Sequence, residues 1–214
     1  MQSPPISEVE IDARIDSHID ELLELWWAEQ GASKPKDLEM MALTIPFPRG
    51  QAIRALDLCC GPGDVGRAIR RIYPKAHIDG IDRDPFLTSI CRVVNQRDRI
   101  PGTLVVRDLK DDGGLDELPG DYDVVATVSA LHWFDAERAA QLVKSVHGTL
   151  RDGGLFLLAE PACPRSSSEL AYTSIGSTAL RWSGSERYSR LRRSRKSFVS
   201  LPRRARNSSN ARSI

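Results

Sequence analysis

Ala55-Leu56-Asp57-Leu58-Cys59-Cys60-Gly61-Pro62-Gly63-Asp64 is the stretch on which the fold turns. An apolar run, Ile53 to Cys59, meets a glycine-rich turn at Cys60 to Gly63. A helix from about Val65 to Tyr73 follows and is ended by Pro74. That order reads as a buried strand, a tight turn and a helix N-terminus. Glycines in such a turn let the backbone approach a ligand closely, and the helix start offers unpaired N–H groups. Asp57, ahead of the turn, is expected to face the ligand. An acid there suits a cationic or hydroxyl-rich ligand better than a pyrophosphate.

The alternation continues downstream. Ile78 to Asp82 reads as a second strand, and Pro85 opens a helix running to about Asn95. Thr103 to Val106 is a third strand and Val124 to Val128 a fourth. Ala136 to Leu150 is an amphipathic helix closed by Asp152-Gly153-Gly154, and Leu155 to Ala159 is a fifth strand. Strands and helices alternating at this spacing predict an α/β fold, a doubly wound, mainly parallel sheet with helices on both faces.

Upstream, Ile11, Ile15, Ile19, Leu22, Leu23 and Trp26 recur at helical spacing between Ser7 and Gln30, with Gly31 as the stop. Pro35 to Leu43 predicts a second short helix, and Pro46 and Pro48 mark a boundary. Residues 1–50 therefore read as an N-terminal helical cap, and residues 51–164 as the ligand-binding domain. Past Pro164 the texture changes. Of the last fifty residues fourteen are Ser and eleven Arg, and periodic apolar spacing is lost apart from fragments near Ala171 to Leu180 and Phe198 to Leu201. A Ser/Arg-rich tail over 165–214, largely disordered, is the expectation.

Composition bounds the rest. The 214 residues are 41% hydrophobic and 28% charged, enough for one cored domain with extensions. No apolar stretch is long enough to span a bilayer, and the N-terminus lacks a signal pattern, so a cytoplasmic protein is expected. Cys59, Cys60, Cys91 and Cys163 form no C-x-x-C pair, which predicts reduced thiols and no metal site. The net charge of +1 hides two opposed blocks. Residues 165–214 carry eleven Arg and one Lys against two Glu, a net +10, and the remainder is −9. Arg and Ser could meet phosphates, yet the tail has no regular Arg-Ser dipeptides and few aromatics for base stacking, which argues against nucleic acid.

Five ordered motifs now resemble the class I S-adenosylmethionine-dependent methyltransferases. Asp57, Gly61 and Gly63 match the family's D-x-G-x-G-x-G, with Cys59 in place of the first glycine; quinone-biosynthesis methyltransferases also carry D-L-C-C-G. Gly80-Ile81-Asp82-Arg83-Asp84 matches the second-strand motif, and Val105-Val106-Arg107-Asp108-Leu109 the third. Tyr122 to Phe134 matches the fourth, its Ala130-Leu131-His132-Trp133-Phe134 typical of a small-molecule subgroup that includes trans-aconitate methyltransferases. Leu150-Arg151-Asp152-Gly153-Gly154 resembles the turn before the fifth strand.

The resemblance implies a Rossmann-like fold and an S-adenosylmethionine pocket built from Asp57, Cys59, Gly61, Gly63, Asp82, Arg83, Asp108, Leu109 and Ser129. Asp82 would accept both ribose hydroxyls and Asp108 the adenine amino group. The acceptor would be a small molecule methylated on oxygen or carboxylate, with His132 the candidate general base. The family's closing elements after the fifth strand are not evident, so truncation or replacement of the C-terminus is expected. Two other readings stay open. One is an inactive, cofactor-binding remnant. The other is an NAD-binding oxidoreductase, because Gly61-Pro62-Gly63-Asp64-Val65-Gly66 also fits G-x-G-x-x-G with an acid downstream.

Plainer roles stand beside these. Asp57 could cap the turn, Asp84 a helix, and Asp108 could be one surface acid among Asp111 and Asp112. His132 and Trp133 could line the pocket or fill the core beneath it. His77 and His147 read as surface residues, and Trp26 and Trp27 as core packing.

Overall fold

The structure, a computed structural model, describes residues 7–30, 34–110, 115–116, 118–160 and 176–181. The chain divides into two units, Met1–Trp182 and Ser183–Ile214, and every described residue belongs to the first.

Strands β1 (Arg54–Leu58), β2 (His77–Asp82), β3 (Leu104–Val106), β4 (Tyr122–Val128), β5 (Leu150–Glu160) and β6 (Gly176–Arg181) form one sheet in the order β3-β2-β1-β4-β5-β6. The first five are parallel and β6 runs antiparallel to β5. The order reverses direction between β1 and β4, so the chain leaves these two strands toward opposite edges and opens a crevice at their C-terminal ends.

Side chains alternate across the sheet as the period of two demands. Ala55, Val124, Ala126, Leu155 and Leu157 face helices α3 (Lys34–Leu43) and α4 (Asp64–Ile72), meeting Met41, Val65 and Ile69. Leu56, Leu58, Ile81, Val125 and Phe156 face the other way, onto Leu142 and Val146 of α6 (Ala136–Thr149). Each buried Val, Leu, Ile, Met or Phe among them contributes about 1.5–3 kcal/mol of burial. A smaller cluster joins α1 (Glu8–Ser17) and α2 (Ile19–Gln30) to α5 (Pro85–Arg97), through Ile15 and Ile19 against Ile90, Val93 and Val94.

Helix starts follow capping chemistry. Asp84 accepts from the N–H groups of Phe86 and Leu87 with Pro85 in the first turn, and Asp135 accepts from Arg138 N–H. Asp84 is thus the cap expected of it. Buried Asp79 ties the lower sheet together: it accepts from Thr103 N–H at 2.7 Å and from the Tyr122 hydroxyl at 2.8 Å. Burial first, and then this bond, push the Tyr122 phenol up.

Three details differ from the sequence reading. The single helix expected over Ser7 to Gln30 is two, parted at His18, whose N–H bonds back to Ile15 and Asp16. Apolar periodicity runs through the break because both halves cover α5. Second, α6 ends at Thr149 and β5 begins at Leu150, so Asp152-Gly153-Gly154 lies inside the strand, beside a register shift against Tyr122 to Val124. Third, a strand follows the fifth: β6 falls on the Ala171 to Leu180 fragment, pairing Leu180 with Phe156 and Ser177 with Ala159. The Gly31 cap, Cys163 and the rest of the tail lie outside the described residues. No described helix is long and apolar enough to cross a membrane.

Candidate functional site

The chain leaves β1 through a run of left-handed backbone: Cys59 at φ 59°, Gly61 at 49° and Gly63 at 84°. A Cβ on Gly63 would also sit 2.7 Å from Cys91 Sγ, so shape and conformation both require glycine there. Burial first, then the carboxylates of Asp82, Asp57, Glu160 and Asp108, push the Cys59 thiol up to about 12. Its neighbour Cys60 is raised as well, by its hydrogen bond with Cys91 and by burial. Among the described residues Cys59, Cys60 and Cys91 are free thiols. The raised Cys59 and Cys60 thiols stay protonated and are not nucleophiles.

Asp82 ends β2 at 9% exposure. One carboxylate oxygen accepts from Gly61 N–H at 2.8 Å, the other from Asp84 N–H at 2.9 Å. The side chain clamps the β1 turn to the β2 turn, and each oxygen keeps a lone-pair direction for a further donor. Asp57, 2% exposed, lies deeper: Oδ2 accepts from Gly66 N–H at 2.9 Å, holding the start of α4. It braces the turn from behind.

A cleft of about 460 Å³ opens above these residues. Cys59, Gly61, Asp82, Arg83, Asp108, Leu109, Ser129 and His132 line it; Asp57 and Gly63 do not. Asp108 accepts from Lys110 N–H at 2.9 Å, which aims the end of β3 at the cleft. Trp26 also lines it, with its indole N–H donating to Asp64 Oδ2 at 2.7 Å and its ring over Gly61, 3.5 Å from where a Cβ would stand. Asp64 pairs with Arg67 too. Helix α2 therefore roofs the glycine turn. Trp26 and Asp64 were not picked out from sequence as site residues, since tryptophan at helical spacing is indistinguishable from core.

The donor set has a definite chemistry. Asp64, Asp82, Asp84 and Asp108 face Arg83, Arg107 and Lys110, with Leu87, Val128 and Phe134 as apolar wall. A ligand with a cation, a diol and a flat apolar ring fits this set. A pyrophosphate does not, because the α4 N-terminus it would occupy holds the Asp64 carboxylate, and Gly66 N–H is already given to Asp57. That weighs against a dinucleotide.

On the far wall Ser129 turns the chain at φ 54° and its N–H donates to Ala159 O. A 3₁₀ turn, Leu131–Trp133, follows. Glu160, at the end of β5, serves it three ways. Oε1 accepts from Ala130 N–H at 2.8 Å and Leu131 N–H at 2.7 Å, while Oε2 meets His132 Nδ1 at 2.8 Å. Glu160 was missed in the sequence; the available signal was an acid directly after the apolar run of β5. His132 and Trp133 both line the cleft, their rings 5.1 Å apart, and Trp133 is 66% exposed. Neither fills the core. Of the other histidines, His77 is half-buried beside Asp79, at 3.2 Å, and His147 is exposed. Trp27 packs against the core, as expected.

Residues 55–154 match a family profile described as a methyltransferase domain. Ribosomal RNA small subunit methyltransferase C of Pseudomonas entomophila is 28% identical over 102 residues, 46% of this chain and 29% of that protein. An uncharacterised methyltransferase of Synechocystis is 28% identical over 107 residues, 50% of this chain and 46% of that protein. The chain thus spans less than half the length of these relatives. Among solved structures, mitomycin 7-O-methyltransferase aligns with TM-score 0.54 at 14% identity, over 75% of this chain and 46% of that one. An O-methyltransferase family protein from Burkholderia thailandensis aligns with TM-score 0.52 at 19% identity, over 75% and 43%. At such identities these two share the fold.

Proposed function

We propose that residues 55–154, which match a methyltransferase-domain profile, work as a class I, S-adenosylmethionine-dependent methyltransferase, and that the chain binds this cofactor in the cleft and methylates a small acceptor on oxygen. The observation that carries the reading is Asp82: a carboxylate at the C-terminal end of β2, oriented by two backbone N–H groups, in the wall of an acid-rich cleft.

When bound, the cofactor supplies an electrophilic methyl group on a sulfonium. The chain's part is to bind, orient and exclude water. Asp82 would accept the ribose hydroxyls and Asp108 the adenine amino group, with Leu109 and Phe134 as apolar wall. Trp26 and α2 close the side above the glycine turn. Holding reactants in near-attack geometry is worth about 7–11 kcal/mol of barrier. His132 is the proposed general base for an acceptor that must lose a proton.

A cleft of about 460 Å³ lies within the range of small-ligand sites, and its four acids outnumber Arg83, Arg107 and Lys110, which favours a small acceptor over a polyanion. The ribosomal RNA methyltransferase of P. entomophila matches over the shared domain alone, and 54% of this chain lies outside that match. The test is S-adenosylhomocysteine release by the full chain with S-adenosylmethionine, against alcohols, phenols, carboxylic acids and ribosomal RNA fragments. Turnover with a small hydroxyl or carboxyl acceptor supports the reading. Turnover with RNA alone overturns its acceptor, and binding of cofactor without turnover on any acceptor would leave a cofactor-binding module.

A further inference from the structure

Glu160 gives both carboxylate oxygens to the fourth-strand turn, and what it does there selects a chemistry. Its Oε1 holds Ala130 N–H and Leu131 N–H, the unpaired donors at the start of the Leu131–Trp133 turn. That grip fixes the carboxylate, so Oε2 is presented to His132 Nδ1 at 2.8 Å as a positioned acceptor. The carboxylate is 21% exposed, the imidazole 43%. A carboxylate beside a ring nitrogen demands a proton on that nitrogen, and the tautomer of a neutral histidine is set by such a bond.

We infer that Glu160 is a positioning residue: it keeps the proton on His132 Nδ1 and leaves the Nε2 lone pair as the base that takes a proton from a hydroxyl acceptor. This rests on the methyltransferase reading and narrows it. The proton passes from the acceptor oxygen to Nε2. The oxygen keeps the electron pair that forms its bond to the methyl carbon, and the methyl–sulfur pair stays on sulfur. The imidazolium, flanked by the Glu160 carboxylate, returns the proton to solvent at its exposed edge. A carboxylic acid acceptor is already ionised near neutrality and needs no base, so an alcohol or phenol is the acceptor this pair suits.

Nitrogen-15 imidazole spectra of the full chain, at a pH where the rings are neutral, test the tautomer, with the His132 signals assigned by their loss in His132→Gln. The wild type should show protonated Nδ1 and free Nε2. Glu160→Gln keeps an oxygen for the two backbone donors and offers an N–H to Nδ1, so the tautomer should reverse. A wild-type spectrum with the proton on Nε2, or an unchanged spectrum in Glu160→Gln, overturns the inference. If Glu160→Gln does not fold, the wild-type spectrum decides alone. Turnover gives a second arm: Glu160→Gln should slow hydroxyl acceptors by roughly 10²-fold, within the usual span of general-base effects, and spare carboxylate acceptors. Equal slowing of both overturns it. S-adenosylhomocysteine binding is measured alongside; its absence in the folded wild type sinks the methyltransferase reading itself, whatever the tautomer.

Discussion

Cys59 and Asp82 sit 23 positions apart in the chain and face the same cleft, and each has a measurable consequence. Cys59 occupies left-handed backbone at φ 59°, where a glycine would be unstrained. Cys59→Gly should therefore be tolerated within about 1 kcal/mol, while β-branched Cys59→Val should lose about 2 kcal/mol or more in a urea titration. Equal losses would contradict the conformational account. The raised thiol, from 9.0 toward about 12, sets a pH window. A thiol whose folded value exceeds its unfolded one contributes stability fully below pH 9 and loses it as pH climbs to about 12. Alkylation of Cys59 in the native chain should be negligible at pH 9, and rapid native-state modification there would refute the burial argument. Asp82 was readable from sequence as an acid ending a strand. Asp57 was read as facing the ligand, but an acid before a glycine turn can equally serve the helix it starts, and spacing does not separate the two.

Elements were legible where period and punctuation agreed. β1, β2, β4, α5 and α6 follow from apolar spacing, Pro85 and the cap Asp84. The break at His18 was not, since α1 and α2 bury one continuous apolar stripe on α5. Nor was the role of α2: its Trp26 satisfies helical spacing and also reaches Asp64 through one indole N–H, a contact 38 positions away that no local pattern encodes. If α2 roofs the cleft, ligand binding should alter tryptophan fluorescence, and Trp26→Phe should diminish the change, leaving the share from Trp133, and weaken S-adenosylhomocysteine binding by about 10-fold, the scale of one hydrogen bond to a charged group. An undiminished signal would place α2 elsewhere. Below the cleft, Asp79→Ala would strand the Tyr122 hydroxyl and Thr103 N–H in the sheet. A loss of about 3 kcal/mol or more is expected, as for breaking other buried charged networks. Less than 1 kcal/mol would mean the network is dispensable.

For the molecule as a whole, the order β3-β2-β1-β4-β5 makes one crevice, and the first four motifs quoted from sequence converge on it, while Leu150 to Gly154 begins β5 at the opposite end of the sheet. That convergence was legible because each of the four ends a strand at the same sheet edge. Glu160 was not, because its partners Ala130, Leu131 and His132 come from the preceding strand's turn and meet it only once β4 and β5 pair in register. The most direct measurement is calorimetric titration of the full chain with S-adenosylhomocysteine beside Asp82→Ala. The account predicts saturable binding near micromolar strength, weakened at least tenfold in the variant. A folded chain that does not bind, or an Asp82→Ala variant that binds equally well, would contradict it.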